Sequence, residues 1–198
     1  MKKILSIVLT LCLTSALGIN LIRQHIPRPA PDISVLDLQG QSITLKALRG
    51  GPLLLSFWST SCRICLQEMP GLIALYEELG PLGLNILAVA MSYDPPSQVV
   101  ELSRAAGIPY PVILDLDGRI AEAFDRVAGT PTQVLINAAG EIILQHTGKT
   151  DMAELKQQIM AHLPYPSDAQ PTASLVARNS NILQPTNNGN IDHAVALD

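Results

Sequence analysis

At 198 residues, 47% of them hydrophobic, the chain can bury one ordinary core and has little length for a second domain. Its net charge of -4 and scattered basic residues supply no cationic stripe able to follow a phosphate backbone, which excludes nucleic acid as a partner. Three cysteines cannot staple a scaffold, but two of them, Cys62 and Cys65, lie close enough together to need a chemical reason.

Met1-Lys2-Lys3 precedes an uncharged run over residues 4–22 that ends at Arg23, the charge pattern of an export signal. As a helix the run would measure roughly 28 Å, close to the hydrocarbon thickness of a bilayer, which favours a retained anchor within residues 1–26. Thr14, Ser15, Ala16 and Gly18, with Asn20 diluting the end of the run, would suit a cleaved signal instead. Lys2 and Lys3 hold the amino end in the cytoplasm, so the rest is expected on the periplasmic side of the membrane. Cys12 follows Leu11 where lipid attachment would want a small residue, and it reads as one more apolar side chain.

Pro27, Pro29 and Pro31 predict a stiff extended spacer over residues 27–31. The domain is then expected over residues 32–163. Residues 33–38 and 42–45 read as a hairpin about Gln39-Gly40, and 53–58 as a strand buried on both faces. Leu66, Met69, Leu72, Ile73, Tyr76 and Leu79 recur at helical spacing, which puts Cys62 and Cys65 in a first helical turn and predicts a kink at Pro70. A strand over 85–91, a helix over 97–106 and a strand over 111–115 complete an alternation that calls for parallel strands with right-handed crossovers. Residues 132–136 and 141–146 flank Asn137-Ala138-Ala139-Gly140 as an antiparallel hairpin, which makes the sheet mixed. A last helix begins at Thr150 or Asp151, with Glu154 placed for a capping box, and stops at Pro164. From 164 to 198 the chain is polar and without period, as expected of a flexible tail.

Cysteines at i and i+3 in a first helical turn share a face and can close a small disulfide ring. Cys62, nearer the helix amino end, would have its thiolate stabilised by free N–H groups and the helix dipole, with a contribution from Arg63. It would attack a partner's disulfide, and Cys65 would resolve the mixed disulfide. A structural zinc site needs about four ligands, and no second cysteine pair exists, while His25, His146, His162 and His193 lack ligand spacing. Covalent haem would need histidine where Leu66 stands. No metal and no cofactor beyond the Cys62–Cys65 couple is therefore expected.

Phe57-Trp58-Ser59-Thr60-Ser61-Cys62-Arg63-Ile64-Cys65, then Glu68-Met69-Pro70 and Gly129-Thr130-Pro131-Thr132, resemble the TlpA/ResA-like branch of the thioredoxin superfamily. The resemblance implies an α/β thioredoxin-like fold: a mixed central sheet flanked by helices, with an amino-terminal β-hairpin extension. It implies a membrane-tethered enzyme that reduces disulfides in exported proteins, apocytochromes among them, supplied by a membrane thiol-disulfide electron donor. Glu68 would be the acid that moves protons between the cysteines. Pro131 would be the cis-proline facing them, Thr130 would pair its backbone with a substrate strand, and Trp58 and Arg63 complete the expected substrate surface.

Two departures stand out. Ser61 replaces the tryptophan usual before the first cysteine, and Ser56 takes the place of thioredoxin's buried aspartate, leaving Glu68 as the obvious nearby carboxylate. A peroxiredoxin, the competing enzyme class on this fold, would need proline at Leu55 and threonine at Ser59. A non-catalytic copper chaperone would use a Cys-x-x-x-Cys spacing not found here.

Overall fold

The computed structural model describes residues 28–164, so the expected membrane segment, Cys12 and all but the first residue of the expected tail lie outside the described residues. The elements in chain order are β1 (Arg28–Pro29), β2 (Ser34–Leu36), β3 (Ser42–Thr44), a 3-10 turn (Leu45–Leu48), β4 (Leu53–Trp58) and α1 (Arg63–Leu79). After a second 3-10 turn (Gly80–Leu82) come β5 (Asn85–Ala90), α2 (Pro96–Ala105), β6 (Val112–Leu114), α3 (Arg119–Ala123), β7 (Thr132–Ile136), β8 (Glu141–Thr147) and α4 (Met152–Met160).

All six residues of β4 are buried, because the strand lies inside a six-stranded sheet of order β1-β8-β7-β4-β5-β6 and is covered on both faces. It pairs in parallel with β5 and antiparallel with β7. Parallel neighbours cannot be joined by a tight turn, so α1 and α2 serve as the crossovers. One face of the sheet, with Leu54, Trp58, Ile86 and Leu135, packs against Met69, Leu72 and Leu75 of α1 and Leu155 and Ile159 of α4. On the other face Leu55, Phe57, Val89 and Val134 meet Val35 of β2 and Phe124 beyond α3, whose ring stands edge-on to Phe57 with centroids 5.9 Å apart. Each fully buried leucine in these layers contributes roughly 1.5–3 kcal/mol, so the strand that carries the cysteine turn is firmly anchored.

The hairpin of β7 and β8 turns through Asn137, whose side-chain oxygen accepts from the N–H groups of Ala139 and Glu141, each at 3.0 Å. Gly140 closes it at φ +86°, a conformation that glycine adopts without penalty, and a Cβ there would come within 2.5 Å of Arg49. The expected β2-β3 hairpin is present as a separate two-stranded sheet, with Asp37 accepting from the N–H groups of Gln39 and Gln41.

Three features depart from the sequence expectations. Arg28 and Pro29 are not only a spacer: they pair antiparallel with Ile142 and Glu141 as the outermost strand, an edge where a missing proline N–H is tolerated. The helix α3 was not foreseen. It is short, and buried Asp115 holds it by accepting from the N–H groups of Ile120 and Ala121, each at 2.9 Å. Finally α4 begins as expected, with Asp151 capping Ala153 and Glu154, but ends at Met160, and Leu163 reaches the core from the segment after it.

Candidate active site

At the end of β4 the chain leaves the sheet at Trp58 and turns through Ser59, Thr60 and Ser61 into α1. Buried Asp94, from the segment after β5, holds this turn. Its Oδ1 accepts from Ser59 Oγ at 2.7 Å and Thr60 Oγ1 at 3.2 Å, and its Oδ2 accepts from the Thr60 N–H at 2.7 Å. Ser59 Oγ lies 2.9 Å from Ser61 Oγ and accepts from the Ser61 N–H at 3.2 Å. The loop before the cysteines is thus tied at three consecutive residues, and a carboxylate other than Glu68 stands behind the site.

Cys62 is the N-cap of α1, one position before the first helical turn expected for it, and Cys65 is the third helical residue. The two are joined as a disulfide with Cα atoms 5.3 Å apart. Sγ of Cys62 accepts from the Cys65 N–H at 3.1 Å, so the sulfur occupies the place of a capping oxygen among the unpaired donors of the helix start. No acidic residue lies in that first turn, and Arg63 and Ile64 are exposed beside it. Cys62 is half-buried, whereas Cys65 is only 4% exposed. Only the first sulfur can be reached by a large partner.

Beneath Cys65 lies a cavity of about 10 Å³ lined by Ser56, Trp58, Glu68, Pro131 and Gln133 among others. Glu68 is 6% exposed, and its Oε1 accepts from the Thr150 N–H at 2.5 Å, which ties α1 to the start of α4. Tyr110, edge-on to Tyr76, also lines the cavity; burial pushes its phenol pKa up and keeps it neutral. The bond from Thr130 to Pro131 is cis, as the resemblance implies, and Pro131 faces the same cavity.

Cys65, Glu68, Trp58 and Pro131 therefore meet at one place, with Cys62 attached through the disulfide and half-buried Thr130 alongside. Trp58 does not fit the surface role expected of it. At 3% exposure its ring lies in the core under α1, because the inward face of β4 carries it there with Leu54. Arg63 points to solvent and has no ion pair among the described residues. Two site residues escaped sequence reasoning, Asp94 and Gln133. Asp94 sits in Tyr93-Asp94-Pro95-Pro96, which reads as an ordinary turn; Gln133 could have been found as the polar residue interrupting a strand that is otherwise apolar after Thr132.

Leu55 and Ser59, where a peroxiredoxin would need proline and threonine, are a core leucine and the Asp94 partner. The sequence pattern of the AhpC/TSA family matches residues 26–145. Among curated proteins the chain is 37% identical over 112 residues to a thiol-disulfide oxidoreductase ResA of Halalkalibacterium halodurans, covering 57% of this chain and 62% of that protein. It is 31% identical over 135 residues to the ResA of Geobacillus thermodenitrificans, covering 68% of this chain and 76% of the relative. Among solved structures, a protein assigned as a thioredoxin from Neisseria meningitidis superposes with a TM-score of 0.65 at 33% identity, covering 69% of this chain and 91% of that one. The matched span carries the whole strand, cysteine turn and proline loop built above, and on that ground the chain belongs to the AhpC/TSA family, as a thioredoxin-fold thiol-disulfide oxidoreductase of the ResA kind.

Proposed function

We propose that this oxidoreductase works on the periplasmic side of the cytoplasmic membrane, tethered by residues 4–22, where it reduces disulfides of exported proteins such as apocytochromes. The observation that carries the reading is the unequal placement of the two sulfurs: Cys62 reachable at a helix N-cap, Cys65 covered beneath it. The helix start and exposed Arg63 favour negative charge on Cys62 Sγ, which makes it the nucleophile. Attack on a substrate disulfide gives a mixed disulfide, and Cys65 resolves it while Glu68 takes its proton. Thr130 and Pro131 offer the substrate an extended backbone beside Cys62, with Arg63 at its rim. The couple needs no further cofactor, only a membrane dithiol donor to reduce it again.

Direction is tested by the reduction potential. An E°′ on the order of -200 mV or lower is expected for a reductase. A value near about -120 mV, that of a strong oxidant, would turn the assignment round.

Location is tested separately. Full-length protein is expected to stay with membranes through a high-salt wash, while a chain beginning at Arg28 stays in the supernatant, since the run over residues 4–22 is close to a bilayer in length. Recovery of a mature, soluble chain lacking the residues before about Gly18 would instead make the segment a cleaved signal.

A further inference from the structure

Among the described residues the buried side-chain polar atoms without a hydrogen-bond partner are Trp58 Nε1, Glu68 Oε2, Thr150 Oγ1, both ends of the Gln133 amide, and Ser103 Oγ. All but the last gather in one region. Trp58, Glu68 and Gln133 line the cavity under Cys65, and the Thr150 backbone is bonded to Glu68. Buried polar atoms left open in one cluster point to a shared use, because each costs desolvation free energy that an apolar side chain of the same size would not.

The sheet register gives the cluster a direction. Ser56 of β4 pairs with Gln133 of β7, and Gln133 pairs with His146 of β8, so three polar side chains stand side by side on the face that carries Leu54, Trp58 and Leu135. Gln133, 1% exposed, is the middle of this rung and lines two cavities. One is the small cavity under Cys65; the other, of about 190 Å³, is bounded by exposed His146 and by Thr150 and Glu154. The small cavity is of the size that holds one water, and its polar walls supply the two to four partners such a water needs.

We propose that Gln133 is a positioning residue for proton transfer in the resolving step, holding open a hydrogen-bonded route from Glu68 to the cavity beside His146. The proposal rests on the reading that Glu68 takes the Cys65 proton. In that step the Cys65 thiol loses its proton to Glu68, and a bond forms between Cys65 Sγ and Cys62 Sγ. The bond from Cys62 Sγ to the substrate sulfur breaks, and its electron pair leaves with the substrate as a thiolate. The enzyme dithiol is oxidised by two electrons and the substrate disulfide is reduced by two. The proton then passes from Glu68 by way of Gln133 and water to solvent, and the substrate thiolate collects another there. Groups that titrate along the route are Cys65 and Glu68 from α1, Tyr110 before β6, His146 and Lys149 at the end of β8, and Asp151 and Glu154 at the start of α4.

Stopped-flow mixing of the reduced full-length protein in detergent with 5,5′-dithiobis(2-nitrobenzoate) separates the two steps. The first equivalent of chromophore reports attack by Cys62, and the second reports resolution by Cys65. Gln133→Leu is expected to leave the first phase unchanged and slow the second about 10-fold, part of the roughly 10²–10⁴ that a positioned acid–base group contributes. The pH profile of the second phase should also change, and thermal stability should not fall. A second phase with wild-type rate and pH profile in Gln133→Leu overturns the proposal, and Gln133→Met, similar in length and volume, is read the same way should leucine prevent folding. Glu68→Gln is the separate arm. If it slows the second phase while Gln133→Leu does not, only the Gln133 route is wrong; if it leaves the second phase untouched, the assignment of Glu68 as proton acceptor is wrong.

Discussion

Cys62→Ser is expected to abolish disulfide exchange with a test substrate, a loss on the order of 10³-fold or more, since removal of a nucleophile leaves nothing to begin the reaction. Cys65→Ser has a different outcome. The reachable Cys62 sulfur keeps its place at the N-cap, where the helix start favours the thiolate, and it still attacks. The resulting mixed disulfide can no longer be cleared from inside, because the covered sulfur beneath it is now an alcohol. Covalent adducts with natural substrates should therefore accumulate on non-reducing gels and vanish with reductant, and their identities would name the substrates. A metal site would respond otherwise: both substitutions would remove a ligand, and neither would trap a protein. If the two serine variants behave alike, with no adduct from Cys65→Ser, the assignment of attacking and resolving roles fails.

Much of this site was legible because it is built from local signals. The apolar run of β4 directly before a helix start, with cysteines at i and i+3, places a redox pair at the start of a helix with no knowledge of the rest of the chain. The hairpins were readable from Gln39-Gly40 and Asn137-Ala138-Ala139-Gly140 for the same reason, since turn chemistry acts over a few residues. What escaped depends on distance along the chain. Arg28 and Pro29 find their partners in Ile142 and Glu141, and nothing in a proline-rich segment announces an edge strand. The helix α3 is too short to show a period and exists because Asp115 caps it from the preceding loop. Trp58 was expected on the substrate surface; the fold covers both faces of β4, and strand alternation puts Trp58 on the face of Leu54 and Ser56, under α1. Glu68 was singled out from the sequence, but only the fold shows that it is buried and bonded to Thr150.

Asp94→Ala is expected to be the most destabilising of the single substitutions near the site that leave the cysteines intact. The carboxylate is 6% exposed and accepts from Ser59 Oγ, Thr60 Oγ1 and the Thr60 N–H. Alanine would take one acceptor from the buried Ser59 hydroxyl, which could turn to Ser61 Oγ 2.9 Å away, while half-buried Thr60 could turn to water. With two hydroxyls paired less well, one backbone donor partly rescued and a small void added, the cost is about 1–3 kcal/mol. For a domain of this size that corresponds to a fall in Tm on the order of 10 °C. Asp94→Asn keeps an acceptor for Ser59 but turns an amide donor toward the Thr60 N–H, so it should fall between alanine and wild type. The same bonds fix the loop that ends at Cys62, whose N–H donates to the Ser59 carbonyl at 3.1 Å. At temperatures well below the transition of the variant, attack by Cys62 should therefore also slow, and the reduction potential should shift, because the sulfur is no longer held among the donors of the helix start. A purely structural aspartate would lower Tm and leave both the attack rate and the potential of the folded fraction unchanged. An Asp94→Ala protein with wild-type Tm would remove the network from the account altogether.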